Sequence, residues 1–299
     1  MDEMSKQLRE LNSESSENKT LDFVKPPKDT ATLRFLYNTV AGRVILKVLT
    51  APVLSKICGA YLNCSLSKPF IKPFLKNNNI DTAEYFCDDF KCFNDCFCRK
   101  IRPGKRKIVS DTNSFISPCD GLLSAYKIDE NLRFRIKNTD YSVKSLLQDD
   151  NLSKKYNNGL CLVFRLCVNH YHRYAYAESG NITAYKKIKG KLHTVRPIAL
   201  EKSPVFCENS REYIVTKTEN IGDVLQMEVG AMLVGKIKNY QTKGTVKRGE
   251  EKGMFLYGGS TIVLLVEENK VTLPKEIFSA TEQGLELPVK LGSKIGSVM

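Results

Sequence analysis

Apolar and polar positions divide the chain into three kinds of stretch. The opening MDEMSKQLRELNSESSENKT is polar and mixed in charge, which predicts a disordered tail over residues 1–30. Residues 31–62, ATLRFLYNTVAGRVILKVLTAPVLSKICGAYL, are apolar but interrupted by Arg43, Lys47 and Lys56, and Pro52 breaks or kinks any helix there. A spanning helix needs about 20 mostly apolar residues with few charges, so this stretch is a poor span. Arg43 and Lys47 sit one helical turn apart, beside an apolar face of Val44, Ile45, Val48 and Leu49. Two readings fit that pattern: a helix lying in a membrane interface with its cations at the headgroups, or an amphipathic helix facing a soluble core. Short helical pieces are expected over 66–100, ending in FKCFNDCFCRK.

From residue 114 the pattern shortens. LCLVFRLCV at 160–168 and TIVLLVE at 261–267 are apolar runs bounded by Gly, Asn and charged residues. DVLQMEVGAMLVGKI at 223–237 sets two glycines into similar sequence. Runs of this length, rich in β-branched and aromatic residues, read as buried strands. The expectation is an α+β fold with a helical region over 31–110 and a β-rich domain over 111–299. No internal repeat and no glycine-rich phosphate loop is present.

Charge adds a class of partner. The 46 basic and 33 acidic residues give +13, with a dense run RKIRPGKRK at 99–107, and attract either nucleic acid or an acidic membrane surface. No nucleic-acid-binding module is recognisable, so no nucleic-acid partner is expected. The ten cysteines follow no secretory signal, which implies a reducing compartment and mostly buried thiols. Cys87, Cys92, Cys96 and Cys98 cluster most densely, but their spacing matches no paired C-x-x-C zinc design, and no metal is expected.

Three segments carry candidate chemistry. Ser117-Pro118-Cys119-Asp120-Gly121 reads as a tight turn. Asn169-His170-Tyr171-His172-Arg173-Tyr174 follows an expected strand and holds two of the three histidines. Lys252-Gly253-Met254-Phe255-Leu256-Tyr257-Gly258-Gly259-Ser260-Thr261 leads into another. Each alone reads most simply as structure.

In this order, however, they resemble the phosphatidylserine decarboxylase family over roughly residues 32–299. Phe93-Asn94-Asp95, Arg99, Pro103-Gly104 and Arg106 are similar to the family's stretch ahead of its SPCDG motif. Val195-Arg196-Pro197, Glu208-Asn209-Ser210-Arg211-Glu212 and Val229-Gly230-Ala231-Met232-Leu233-Val234-Gly235 match further segments.

The resemblance implies a proenzyme that cuts itself between Gly259 and Ser260 into a β chain, 1–259, and an α chain, 260–299. Ser260 would be the nucleophile, His172 its base and Asp120 the acid that orients the base. Glycines before the serine let the backbone bring its hydroxyl onto the Gly259 carbonyl. Acyl transfer to oxygen, elimination and loss of ammonia would leave a covalent pyruvoyl cofactor derived from Ser260. That ketone would act as the electron sink for decarboxylating phosphatidylserine to phosphatidylethanolamine, with His172 also reprotonating the product.

Many family members carry a second histidine where this chain has Ala175, so the base is His172 or His170. Leu291-Gly292-Ser293 also resembles a family cleavage site, but a cut there leaves only 293–299, whereas a cut at Ser260 leaves a strand to hold the new group in the core.

The resemblance further implies that residues 31–110 associate with membranes and that the protein is peripheral, at the cytoplasmic face of the cell membrane. Its partners would be phosphatidylserine in anionic membranes and the two chains of one proenzyme, and a homodimer is compatible with it. The main alternative is a processing-deficient, decarboxylase-like basic membrane-binding protein, prompted by Ala175. A pyruvoyl enzyme for a soluble amino acid is a weaker rival, because the basic amphipathic N-terminal region favours a lipid.

Overall fold

The computed structural model describes residues 21–26, 29–231, 236–257 and 260–299. Gly259 of the expected cut lies outside the described residues, as do most of the expected tail and 232–235 of the V-G-A-x-x-V-G segment. Within the stretch expected as tail, Val24 forms a β-bridge to Glu286.

The 31–62 stretch folds as three helices, α1 (Ala31–Asn38), α2 (Val40–Leu49) and α3 (Pro52–Leu62). Thr39 sets the first break: its hydroxyl accepts from the Gly42 N–H at 2.9 Å, capping α2 in the way that favours threonine at a helix start. Among the described residues no single helix is long and apolar enough to cross a membrane, although Val40–Leu49 and Val53–Leu62 together, bent by 58°, reach that length and composition. Two short helices follow, α4 (Ile71–Asn77) and α5 (Phe93–Phe97).

The rest is mainly antiparallel sheet, as the α+β reading expects. The strands are β1 (Ser114–Ile116), β2 (Gly121–Lys127), β3 (Arg133–Ile136), β4 (Thr139–Ser142), β5 (Leu160–Leu166), β6 (Arg173–Ala175), β7 (Gly180–Ile188) and β8 (Arg211–Lys217). They continue as β9 (Asp223–Gly230), β10 (Lys236–Asn239), β11 (Gly244–Val246), β12 (Glu251–Leu256), β13 (Ser260–Val266), β14 (Val271–Thr272), β15 (Leu287–Val289) and β16 (Lys294–Val298). Helix α6 (Lys275–Glu282) packs beside β2.

An eight-stranded sheet runs β11-β7-β8-β9-β13-β5-β2-β15, and a three-stranded sheet runs β10-β12-β6. The apolar runs at 160–168 and 261–267 become the neighbours β5 and β13 near the centre. All seven residues of β13 are buried, because the centre of the large sheet is covered on both faces, whereas β7 nearer the edge alternates with exposed positions. The small sheet lies over one face: the Gln226 amide of β9 donates to the Ala175 carbonyl of β6 at 3.1 Å. Within the small sheet Gly253 of β12 allows the close approach of β10, since a Cβ there would sit 2.2 Å from the Lys238 carbonyl oxygen.

Candidate active site

Ser260 opens β13, directly opposite Leu166 of β5 and Gly230 of β9. Opposed residues of an antiparallel pair share a face. The serine therefore points to the face shared with Phe164 on one side and Glu228 and Gln226 on the other, under the small sheet. Ser260 is fully buried, and its Oγ has no hydrogen-bond partner among the described residues.

His172 reaches this end of the sheet by a turn. The chain leaves β5 at Leu166, Ser260's partner, and turns through 167–172 into β6. The Phe255 N–H of β12 donates to the His172 carbonyl at 2.9 Å, so the histidine turn lies against the segment that leads to the cut. The imidazole is fully buried against the Phe97 ring, centroids 4.0 Å apart. Its Nδ1 lies 3.0 Å from the His170 carbonyl oxygen. A carbonyl can only accept, so Nδ1 carries the proton and Nε2 the free lone pair. Nε2 has no partner among the described residues. Burial, with the Arg99 charge adding to it, holds the His172 pKa well below the ordinary histidine range, so the ring is neutral at pH 7.

Asp120 lies at the same sheet end but bonds elsewhere. Leu122 of β2 pairs with Arg165 of β5, which puts the strand of Asp120 two strand spacings, about 10 Å, from that of Ser260. Its carboxylate takes a fork from Arg106, Nε to Oδ1 at 3.0 Å and Nη2 to Oδ2 at 2.6 Å. The Leu291 N–H also donates to Oδ1, at 2.8 Å. The structure thus brings Ser260 and His172 to one end of the sheet and does not bond Asp120 to the His172 ring. His170 bonds separately, its Nδ1 accepting from the Cys167 N–H at 3.0 Å. Ser293 lies beside the Ser117–Gly121 turn, its carbonyl accepting from the Ser117 N–H at 2.9 Å, and its hydroxyl donates to the Lys290 carbonyl at 2.6 Å. Ala175 ends β6 opposite Glu251 of β12, and its N–H donates to the Pro118 carbonyl at 2.8 Å.

Several residues quoted above only as motif matches connect to this site. The Arg99 Nη2 donates to the carbonyls of Asn169 and His170 at 2.8 and 3.1 Å. Asn94 Oδ1 accepts from the Tyr257 N–H at 3.0 Å, holding the approach to the cut. Asn209 donates to the carbonyl of Gly230, Ser260's partner, at 2.7 Å. Arg211 donates to the Leu146, Ser145, Cys207 and Asn209 carbonyls, which explains a buried arginine without a carboxylate. Lys252 and Glu228, both fully buried, form an ion pair with the ammonium 2.5 Å from each carboxylate oxygen. Glu228 faces Ile262, one step along from Ser260.

Among the described residues no group of three or more His, Cys, Asp or Glu could hold a metal ion. All ten cysteines are free, and burial pushes Cys96 and Cys98 up to about 12, which leaves those thiols protonated and inert. A cavity of about 1070 Å³ opens between β2, β5 and α6, and none of Ser260, His172 or Asp120 lines it.

Residues 93–297 match the model of a family described as phosphatidylserine decarboxylase. The chain is 46% identical over 265 residues to phosphatidylserine decarboxylase proenzyme 2 of Clostridium acetobutylicum, covering 88% of this chain and 91% of the relative. It is 42% identical over 269 residues to the phosphatidylserine decarboxylase proenzyme of Clostridium tetani, with 88% and 91% covered. A Ruminiclostridium cellulolyticum proenzyme of the same name is 40% identical over 271 residues, with 89% and 90% covered. The chain belongs to the phosphatidylserine decarboxylase family.

It is therefore an enzyme of the carboxy-lyase class. For a phosphatidylserine decarboxylase, the links from Arg99, Arg106, Asn94 and Asn209 to the site are the part that the motif comparison left unexplained. Their signal in the sequence was membership of the matched segments: Asn94, Arg99 and Arg106 ahead of Ser117–Gly121, and Asn209 within Glu208–Glu212. Their partners are mostly backbone groups, which no sequence pattern displays.

Proposed function

We propose that this chain is a self-processing proenzyme that cuts between Gly259 and Ser260 and decarboxylates phosphatidylserine to phosphatidylethanolamine. The observation that carries the reading is that one buried sheet end holds both a serine hydroxyl and the open Nε2 of a neutral histidine, each without a hydrogen-bond partner among the described residues. Nε2 takes the proton of the Ser260 hydroxyl as it attacks the Gly259 carbonyl. The proton passes to the Ser260 nitrogen as the peptide bond breaks, so the acyl group moves to oxygen and forms an ester. Loss of the Ser260 α-proton then expels the Gly259 carboxylate. Water enters and ammonia leaves, and the new α chain begins with the pyruvoyl group. Asp120 acts one step back from the ring, its charge falling on His170 and its carboxylate anchoring Leu291 of the α chain.

Ser260 fits such a group: it is fully buried, it begins a strand paired on both sides, and its hydroxyl competes for no other bond. When formed, the group supplies the electron sink for loss of carbon dioxide. The chain's own part is to hold it in a dry site and to return a proton from His172. After the cut the α chain stays bound through β13 with β5 and β9, β15 with β2, and β16 with β1.

A lipid substrate is supported by the helices beside the site. Phe93 and Phe97 of α5 pack with Leu62, Ile71, Phe74 and Tyr257, joining α3 and α4 to the segment before the cut. Helix α3, and α2 before it in the chain, expose Val53, Ile57 and Tyr61 and Val44, Ile45 and Val48 respectively. With Arg43, Lys47 and Lys56 beside them, this is the composition of a peripheral anchor on an anionic, cytoplasm-facing leaflet. Ser260→Ala tests the processing half. It should run as one uncut chain without decarboxylase activity, and two-chain processing of that variant would overturn the proposal.

A further inference from the structure

The carboxylate expected to orient the base is engaged by Arg106 and the Leu291 N–H, yet the imidazole is held in one tautomer. What holds it is the His170 carbonyl, which accepts both His172 Nδ1–H at 3.0 Å and Arg99 Nη2–H at 3.1 Å. One carbonyl oxygen has two lone pairs and can take both. Arg99 is itself held through its Nη2 and its ring contact, while its buried Nε has no hydrogen-bond partner among the described residues. It is 1% exposed. Its Nη2 also donates to Asn169 O at 2.8 Å, and its guanidinium carbon sits 4.4 Å over the Tyr85 ring. Tyr85 in turn stacks on Tyr171, between the two histidines, at 6.1 Å.

We propose that Arg99 is the positioning residue of the general base: its guanidinium locks the 169–170 turn so that the His170 carbonyl orients His172, in place of a carboxylate. This rests on the reading of His172 as the base. The arrangement has a chemical consequence that a carboxylate orienter would not have. A carboxylate stabilises the imidazolium, whereas a permanent cation disfavours it. Having taken the serine proton, His172 therefore surrenders it readily to the leaving nitrogen. The charged or titratable groups acting on His172 are Arg99, at the end of α5, and His170, on its own turn. Phe97 of α5, which packs on the ring, and Phe255 of β12, which bonds its backbone, are uncharged.

The test is the pH profile of self-cleavage in a single turnover, for the wild type and for Arg99→Gln, Arg99→Met and Arg99→Lys. Removing the cation raises the pKa of the base, so the acid limb of the two neutral variants should move to higher pH. Their rate on the plateau should fall on the order of tenfold to a hundredfold as the ring loses its alignment. Arg99→Lys keeps the charge but is shorter and lacks the planar guanidinium that sits over Tyr85, so it should lose rate without moving the limb. A uniform rate loss with an unmoved limb in the neutral variants would reduce Arg99 to a structural residue and overturn the proposal. Should neither neutral variant fold, Arg99→Lys decides: a wild-type rate in that variant overturns it.

A second readout does not require cleavage. In the uncut Ser260→Ala chain, the nitrogen NMR shifts of His172 should report the Nδ1–H tautomer, and a mixed tautomer once Arg99→Lys is added. An unchanged single tautomer in that double variant contradicts the proposal, even if the wild-type chain never processes.

Discussion

Membrane docking can be dissected into two parts with different salt responses. On α2, Val44 and Val48 are 61% and 65% exposed, and on α3, Val53 and Ile57 are 65% and 63% exposed. Each pair is spaced by four residues and so lies on one helix face. Fully burying such a side chain contributes about 1.5–3 kcal/mol, so covering the exposed part contributes roughly 1–2 kcal/mol each. Replacing Val48 and Ile57 with Ser should weaken vesicle binding on the order of a hundredfold, at every salt concentration. Arg43, Lys47 and Lys56 contribute about 1 kcal/mol each near an anionic surface, so replacing all three with Gln should also cost about a hundredfold. That second loss should be confined to low salt, because the Debye length falls from about 10 Å at 0.1 M to about 3 Å at 1 M. The assay is co-sedimentation with phosphatidylserine and phosphatidylcholine vesicles across that salt range. Leu49, only partly buried and packed against the core, should not behave as an anchor, and Leu49→Ser should act on stability instead. If the wild type ignores phosphatidylserine vesicles at low salt, or if Val48→Ser/Ile57→Ser binds as wild type at 1 M salt, the helices do not dock on lipid.

Other expectations are local to the site. His172→Ala should abolish self-cleavage, and a normal rate in that variant with loss in His170→Ala would move the base by two residues. Because the His172 pKa is held well below the ordinary range, wild-type cleavage should stay on its plateau through pH 6.5 and fall only at more acidic pH, as the ring takes a proton; a midpoint near 6.5 would contradict the burial argument. Asp120→Ala should slow cleavage and loosen the C-terminal segment, read as faster amide exchange at Leu291, whereas Ser293→Ala should process as wild type. In the Ser260→Ala background, Lys252→Met leaves a buried carboxylate unpaired and should lower unfolding stability by about 3–5 kcal/mol, with Glu228→Gln restoring much of it; a loss below about 1 kcal/mol would mean the pair is hydrated.

Much of this arrangement was legible in the chain, and the limits have physical causes. The runs at 160–168 and 261–267 are apolar at nearly every position because their strands are covered on both faces, so length and composition sufficed to place them. Helical periodicity located a face on α2 but not its edge: Val44, Ile45 and Val48 are exposed while Leu49 turns to the core, since a boundary depends on the neighbouring elements. The three chemical segments were visible by order and spacing. The wiring between them was not. Arg99 reaches a carbonyl 71 residues away and Asn94 an N–H 163 residues away, and such partners are set by the fold rather than by local sequence. Asp120 shows the same limit: its residue type suits an orienting acid, but Arg106 and Leu291 decide what it bonds.

The central claim, that the chain cuts itself before Ser260 and converts that residue, is tested most directly by intact mass of the purified protein. The account predicts two species, residues 1–259 and residues 260–299, the second lighter than a serine-started fragment by one ammonia. A single full-length mass, or a fragment that begins at Ser293, would contradict it.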